Sequence, residues 1–212
     1  MQATKTLRSD ARRNRERLVT SARELFASAG VDVSVEEITQ HAGLGMGTLY
    51  RHFPTKDELI DAVLEDTFAE IVRLAEASAT AEDAWIGFTT FLEQAVQLHA
   101  RYRGVKDMLG SREQGARRAE KMRARVRPLL RQIVERAQED GALRADFTVE
   151  DLPLVFWSAA RVIETTADVA PDAWRRYLAF VLDGLRAPAA TPIGTPALTR
   201  AQIARVNKGR AR

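Results

Sequence analysis

The chain has 212 residues, 45% of them hydrophobic and 29% charged, with no cysteine and a formal net charge of +3. That length buries a real core in one domain or two, and the absence of cysteine excludes a disulfide framework, a thiolate metal site and a cysteine nucleophile. No apolar run approaches the ~18 residues a membrane helix needs, and the polar, arginine-rich N-terminus shows no secretory h-region, so a cytoplasmic protein without a membrane partner is expected. Charge is uneven: residues 1–23 carry +5, residues 200–212 carry +5, and the stretch between carries −7. Basic ends on an acidic body suggest a polyanion held at one end, against the plainer reading of two solvated tails.

Helical periodicity runs along the whole chain. Leu18, Ala22, Leu25, Phe26 and Ala29 recur at helical spacing, and Gly30 comes next as a C-terminal stop. Ser34-Val-Glu-Glu37 reads as a capping box opening a short helix over 35–42, which Gly43 closes. A second box, Thr55-Lys-Asp-Glu58, opens a longer helix with Leu59, Val63, Phe68 and Ile71 on its apolar face. Pro54 helps end the segment before it, because a residue ahead of proline avoids the helical region. Past residue 80 the helices lengthen. Trp85, Phe88, Phe91, Leu92 and Ala95 form one stripe, and an arginine-rich helix over 114–140, kinked or divided by Pro128, stops at Gly141. Thr148-Val-Glu-Asp151 caps a helix through Leu154, Phe156, Trp157 and Ala160, with Pro153 in its first turn. Trp174, Tyr177, Leu178, Val181, Leu182 and Leu185 mark the next. The segment after Arg186 is linker-like, and 198–212 reads as a basic disordered tail with room for a transient helix. With no strand-like alternation anywhere, the fold class is all-α.

Between the second and third predicted helices lies "AGLGMGTLYRHF", three glycines in five positions. A nucleotide loop would come after a strand and carry G-x-G-x-x-G or a G-K-[ST] ending, and neither condition is met. Gly43 suits the left-handed position after a helix, which leaves Gly47 unexplained, since glycine inside a helix costs roughly 1 kcal/mol relative to alanine. The third possibility is a helix-turn-helix, with residues 46–52 as a second short helix entering a DNA major groove. A glycine there admits close backbone approach, Thr48 and Tyr50 offer hydroxyls, and Lys56 adds its charge to the positive end of the next helix. The basic residues 5–17, taken to precede the first helix, would track the DNA backbone or reach a minor groove.

The stretch "LVTSARELFASAG…SVEEITQHAGLGMGTLYRHFPTKDEL" resembles the N-terminal domain of the TetR-type (tetracycline-repressor-like) transcriptional regulators across roughly residues 14–62. The resemblance rests on the Leu-Phe-x-x-x-Gly helix end, Ala42-Gly43, Gly47-Thr48-Leu49-Tyr50, His52-Phe53 and Lys56-Asp57-Glu58-Leu59, in that order and spacing. One departure is Gly45, where many members have a serine or threonine; it caps a helix but offers no hydroxyl to a phosphate. The resemblance implies a three-helix DNA-binding domain over residues 1–60 with a basic N-terminal arm, a helical ligand-binding and dimerisation domain over 61–187, and a basic tail over 188–212. It implies that Met46, Gly47 and Tyr50 face bases or sugar, that Thr48, His52 and Lys56 face the backbone, with Ser34, Gly45 and Arg51 in the same DNA-binding set, and that Leu49 and Phe53 are core. The competing reading makes Tyr50 a partly buried aromatic and His52 a structural histidine at a turn.

For the second half the resemblance implies an effector cavity and a two-helix dimer face. Cavity candidates are Trp85, Phe88, Phe91, Leu92, Met108, Leu109, Met122 and Trp157, with Arg161 and Glu164 as polar anchors; ordinary packing, and an i, i+3 ion pair, are the rival readings. The last two apolar helices offer Ala159, Ala160, Ile163, Leu178, Val181, Leu182 and Leu185 to a homodimer twofold, or else to a monomer's core. Nine Lys/Arg against three acids over 112–136 read as a solvated face. The expected function is a homodimeric regulator, a repressor on a palindromic double-stranded DNA operator, released by a small apolar or amphipathic effector. The alternative is a DNA-binding regulator without an effector, controlled by abundance or a protein partner. His41, His52 and His99 form no H-E-x-x-H, and no nucleophile–base set stands out, so no enzyme, cofactor or metal is expected.

Overall fold

The computed structural model describes residues 2–101 and 113–210, which form helices throughout and, among the described residues, no strand beyond an isolated bridge between Leu143 and Arg186. In chain order these are α1 (Gln2–Ala29), α2 (Val35–Ala42), α3 (Met46–His52), α4 (Lys56–Ala79), α5 (Ala84–Arg101), α6 (Glu113–Glu139), α7 (Leu152–Thr166), α8 (Ala173–Leu185) and α9 (Arg200–Arg210). The chain divides into two compact units, and the division falls inside α4, between Ala69 and Glu70.

In the first unit, α1 is helical from Gln2, so the basic segment expected as an arm ahead of the first helix is instead its first turns. Nothing in residues 2–29 interrupts it: there is no glycine or proline, and arginine and alanine are strong helix formers. Leu18, Phe26, Ile38, Leu49, Leu59 and Val63 are fully buried against one another. Each such side chain contributes roughly 1.5–3 kcal/mol through removal of apolar surface from water. Helices α1 to α3 and the start of α4 thus share one core.

The second unit is built on the end of α4 and on α5 to α8. Gly87 lets α5 lie tight on the α4 terminus, since a Cβ there would sit 2.5 Å from the Ser78 carbonyl oxygen. Arg136 of α6 donates to the carbonyls of Ala79 and Ala81, satisfying the exposed end of α4. The core contains Phe88, Leu92, Val96, Ala137, Leu143, Ala159 and Leu178. Helix α6 runs unbroken across Pro128, where the sequence suggests a kink or a division. Thr199 and Gln202 box the start of α9 in the tail that reads as disordered from sequence.

Candidate nucleic-acid interface

The caps that the sequence marks around the turn are visible in the structure. The Ser34 hydroxyl accepts from the Glu37 N–H at 3.1 Å, and the Glu37 carboxylate accepts from the Ser34 N–H at 2.8 Å. The Ser34 N–H, then the Ser34 hydroxyl donating to the same carboxylate at 2.7 Å, with Lys56 nearby, hold the Glu37 carboxyl below its usual range. At the far end of α2, Gly43 adopts φ 62, ψ 39, its N–H donating to Gln40 while Leu44 N–H donates to Thr39. This left-handed exit turns the chain directly into α3. Gly45 occupies the N-cap with no side chain to close it, and Thr48 and Leu49 N–H both donate to its carbonyl.

Helix α3 is anchored on one side only. Leu49 is fully buried and Phe53 nearly so, as expected for core positions one turn apart. Two arginines of α1 brace this arrangement. The Arg15 guanidinium stacks 5.1 Å from the centroid of the Phe53 ring, and Arg17 donates to the Ala42 carbonyl at the C-terminus of α2. A cation on the last carbonyls of a helix is favourably placed against its dipole. From sequence, both arginines are simply members of a basic run; the available signal is a pair of cations next to the Leu18 stripe.

The opposite side of α3 is open. Gly45, Gly47, Tyr50 and Arg51 are exposed, Tyr50 at 48%, and Ser34, Met46, Thr48, His52 and Lys56 are half-buried. Among the described residues, no atom lies within 4 Å of the place a Gly47 Cβ would take. Two residues are more constrained than their expected roles. The Met46 sulfur lies 3.4 Å from the Thr39 hydroxyl, which also donates to the Glu36 carbonyl at 2.9 Å, so this side chain packs back toward α2. The His52 Nε2 is sealed from solvent with no hydrogen-bond partner among the described residues, so that nitrogen is not presented to a phosphate. Burial, then the charges of Arg51 and Arg15, push the His52 imidazole below its ordinary range, favouring the neutral ring.

A capped helix, a left-handed glycine turn and a second helix with one buried and one open face constitute a helix-turn-helix. Two family models match the chain: "Bacterial regulatory proteins, tetR family" over residues 18–63, and "Transcriptional regulator SbtR-like, C-terminal domain" over residues 80–187, the latter just over half of the chain. A TetR transcription regulatory protein from Mycobacterium vanbaalenii superposes with a TM-score of 0.68 at 33% identity, covering 85% of this chain and 99% of that one. The chain belongs to the TetR family of transcriptional regulators. Another TetR regulator, from Streptomyces coelicolor, aligns over 82% of this chain and 98% of its own with a TM-score of 0.64 and 25% identity. An HTH-type transcriptional regulator of Staphylococcus aureus strain USA300 is 43% identical over 60 residues; the match spans only 32% of that relative and 28% of this TetR chain. The family and these relatives are DNA-binding regulators and not enzymes.

In the second unit of this TetR regulator the expected effector residues are dispersed. Phe88, Phe91 and Leu92 are buried in the core, Phe88 edge-on to Phe147 and Phe91 edge-on to Phe156. Trp85 and Trp157 are half-buried, and Arg186 stacks on the Trp85 ring. Arg161 and Glu164, expected as polar anchors in a cavity, form an ion pair of 3.6 Å on the outer side of α7, where the Arg161 side chain is 78% exposed. Met108, Leu109 and the Met122 side chain lie outside the described residues. Two surface clefts, of about 350 and 260 Å³, are lined by residues of α1–α2 and of α6 with the loop after it, and by none of these candidates.

The residues expected on a dimer face also lie inward. Ala159, Ala160, Ile163, Leu178 and Leu182 are buried, and Val181 and Leu185 pack against the same core. The physical reason is that the most regular apolar stripe of a helix goes to its own domain's core. What remains outward is Leu154 at 44% and Phe180 at 62%, with the Arg176 guanidinium 5.1 Å above the Phe180 ring. Phe180 is missed by the sequence pattern because it falls off the i, i+3, i+4 stripe. An aromatic out of phase with a complete stripe is the signal that points to it.

Proposed function

We propose that this TetR regulator is a homodimeric repressor that reads a palindromic operator through α3 and is released by a small apolar or amphipathic molecule bound in the C-terminal helices. The observation that carries the reading is the one-sided anchoring of α3: Leu49 and Phe53 hold it while Gly47, Tyr50 and Arg51 face outward. Tyr50 and Gly47 meet base edges or sugar. Arg51 and Lys56 meet phosphate with Ser34 and Thr48, although Lys56 shares its charge with Glu37. Two copies related by a twofold place two such helices on half-sites about 34–36 Å apart. The outward pair Leu154 and Phe180 supports pairing through α7 and α8. An effector that binds one conformation of the bundle better changes the spacing of the two α3 helices, and a shift of a few ångströms breaks the register. The regulator works in the cytoplasm, where its DNA is.

Selection of binding sites from a random DNA pool, then titration on the selected site, tests the reading. Arg51→Ala is expected to weaken binding and lower the salt slope by about 1, the value for removal of one phosphate neutralisation. Tyr50→Phe is expected to weaken binding with the slope kept. Selection of no site, or wild-type affinity and slope in both variants, overturns it. The complete burial of Phe88 and Leu92 favours a second reading, a regulator controlled by abundance or a protein partner. Native mass spectrometry against a compound library separates the two: a retained compound that lowers operator affinity supports the effector.

A further inference from the structure

The chain continues past the region its C-terminal family model covers, which ends at residue 187. The residues beyond that point are fixed to the second unit by an unusual use of an arginine. Arg144, in the loop between α6 and α7, is 8% exposed. Its Nε and Nη2 grip the two oxygens of Asp146, its Nη1 donates to the Gly184 carbonyl, and its Nη2 also donates to the Thr191 carbonyl. Asp146 in turn accepts the Ile193 N–H at 3.2 Å. A buried guanidinium is tolerated only when paired and hydrogen-bonded, and here two of its partners belong to residues 184 and 191. Ala142 and Leu143 add backbone contacts to residues 186 and 187. Farther on, Arg200 approaches Glu150 at 3.9 Å, a carboxylate already paired with Arg127.

The tail is therefore laid along the loop after α6 as far as residue 200, and there it becomes α9. From 200 to 212 the sequence has Arg200, Arg205, Lys208, Arg210 and Arg212 and no acid. Ala201, Gln202, Ala204, Arg205 and Val206 are all exposed. Among the described side chains of α9 only Ile203 and Asn207 are half-buried and none is buried, so the helix adds little to the core of the second unit. Its root is fixed by a clasp, its charge has one sign, and it is carried by a regulator whose partner is a polyanion.

We propose that α9 forms a second, sequence-independent DNA contact, with phosphates as the ligand, separate from the reading by α3. The inference rests on DNA binding by the family and not on the repressor or effector reading. The test uses the full chain with Arg205→Gln, Lys208→Gln and Arg210→Gln together, which leaves the Arg144 clasp in place, beside the wild type. Affinity for the selected operator and for random duplex is measured from 50 to 200 mM salt. Each phosphate no longer neutralised lowers the slope of log K against log salt by about 0.9. The expected result is a slope lower by about 1–3 per protomer on both DNAs, with the preference for operator over random DNA kept within about three-fold. Unchanged slopes overturn the proposal, as does tighter DNA binding by the triple variant, which would make α9 inhibitory. So does a loss of binding to phosphatidylserine vesicles with DNA slopes intact, which would give the tail to a membrane surface. Failure of site selection itself would strike the operator reading, while the random-duplex slope would still decide this one.

Discussion

The two glycines either side of Leu44-Gly45-Met46 should respond oppositely to one methyl group. Gly43 sits at φ 62, where an L side chain is strained by about 1–2 kcal/mol. A Cβ there also lies 3.0 Å from Arg17 Nη2, so the guanidinium must give by a few tenths of an ångström, weakening its bond to the Ala42 carbonyl by up to ~1.5 kcal/mol. Gly43→Ala is therefore expected to destabilise folding by about 1–3.5 kcal/mol. Gly47 is helical with negative φ and has open space around its Cβ position. Gly47→Ala is expected to leave stability unchanged or raise it by up to about 1 kcal/mol, the difference in helix propensity. On DNA the signs reverse in importance. A methyl on the outward face of α3 keeps the backbone off the groove, and overpacking by one such group costs about 1–3 kcal/mol, or roughly five- to 150-fold in affinity. Urea unfolding monitored by circular dichroism measures the first effect, and fluorescence anisotropy on operator DNA measures the second. If Gly47→Ala loses stability as Gly43→Ala does, or binds operator as tightly as the wild type, the division between a folding glycine and a reading glycine is refuted.

Phe180→Glu places a charge on the outward face of α8 and is expected to shift the protein to monomers in sedimentation velocity; Leu178→Glu, at a fully buried position, should instead prevent folding. His52 offers a pH test. Its folded-state imidazole releases its proton below the ordinary value near 6.5 because burial disfavours the charged ring. The unfolded chain therefore binds a proton first as pH falls, and stability should decline from about pH 6.5 downward until the folded ring also protonates. A His52→Gln variant should lack that component in urea titrations between about pH 5 and 7.5, and an unchanged pH profile would count against the assignment.

Legibility in the sequence depends on whether the signal is local. The Ser34–Glu37 box and the Gly43 turn are each written in a few adjacent residues, because the bonds they make span three to five positions. The sequence therefore places α2 and α3 to the residue, and Leu49 and Phe53 in the core come from a single helical turn. The first turns of α1 resemble an arm only while a run of charge is given more weight than the absence of any helix breaker before Gly30. Arg17 on the Ala42 carbonyl joins residues 25 apart, and no spacing rule points to it.

The second unit is less legible for a different reason. Periodicity says that a helix has an apolar face but not which neighbour covers it. In α7 and α8 the strongest stripe, with Ile163 and Leu178, reads from sequence as either a partner's or the chain's own core, and a domain must fill its own core before it can offer a surface. Burial to 0–9% exposure at Ala159, Ala160, Ile163, Leu178 and Leu182 leaves those side chains nothing further to gain from a second copy. A partner gains only from what is still wet: on these helices Leu154 and Phe180 are exposed, and Val181 and Leu185 are half-buried. The same logic holds for Arg161 and Glu164, whose charges stay in water because desolvating both would cost more than their 3.6 Å contact returns. For a helix with more than one apolar side, the residues out of phase with the main stripe are thus the ones to test for partners.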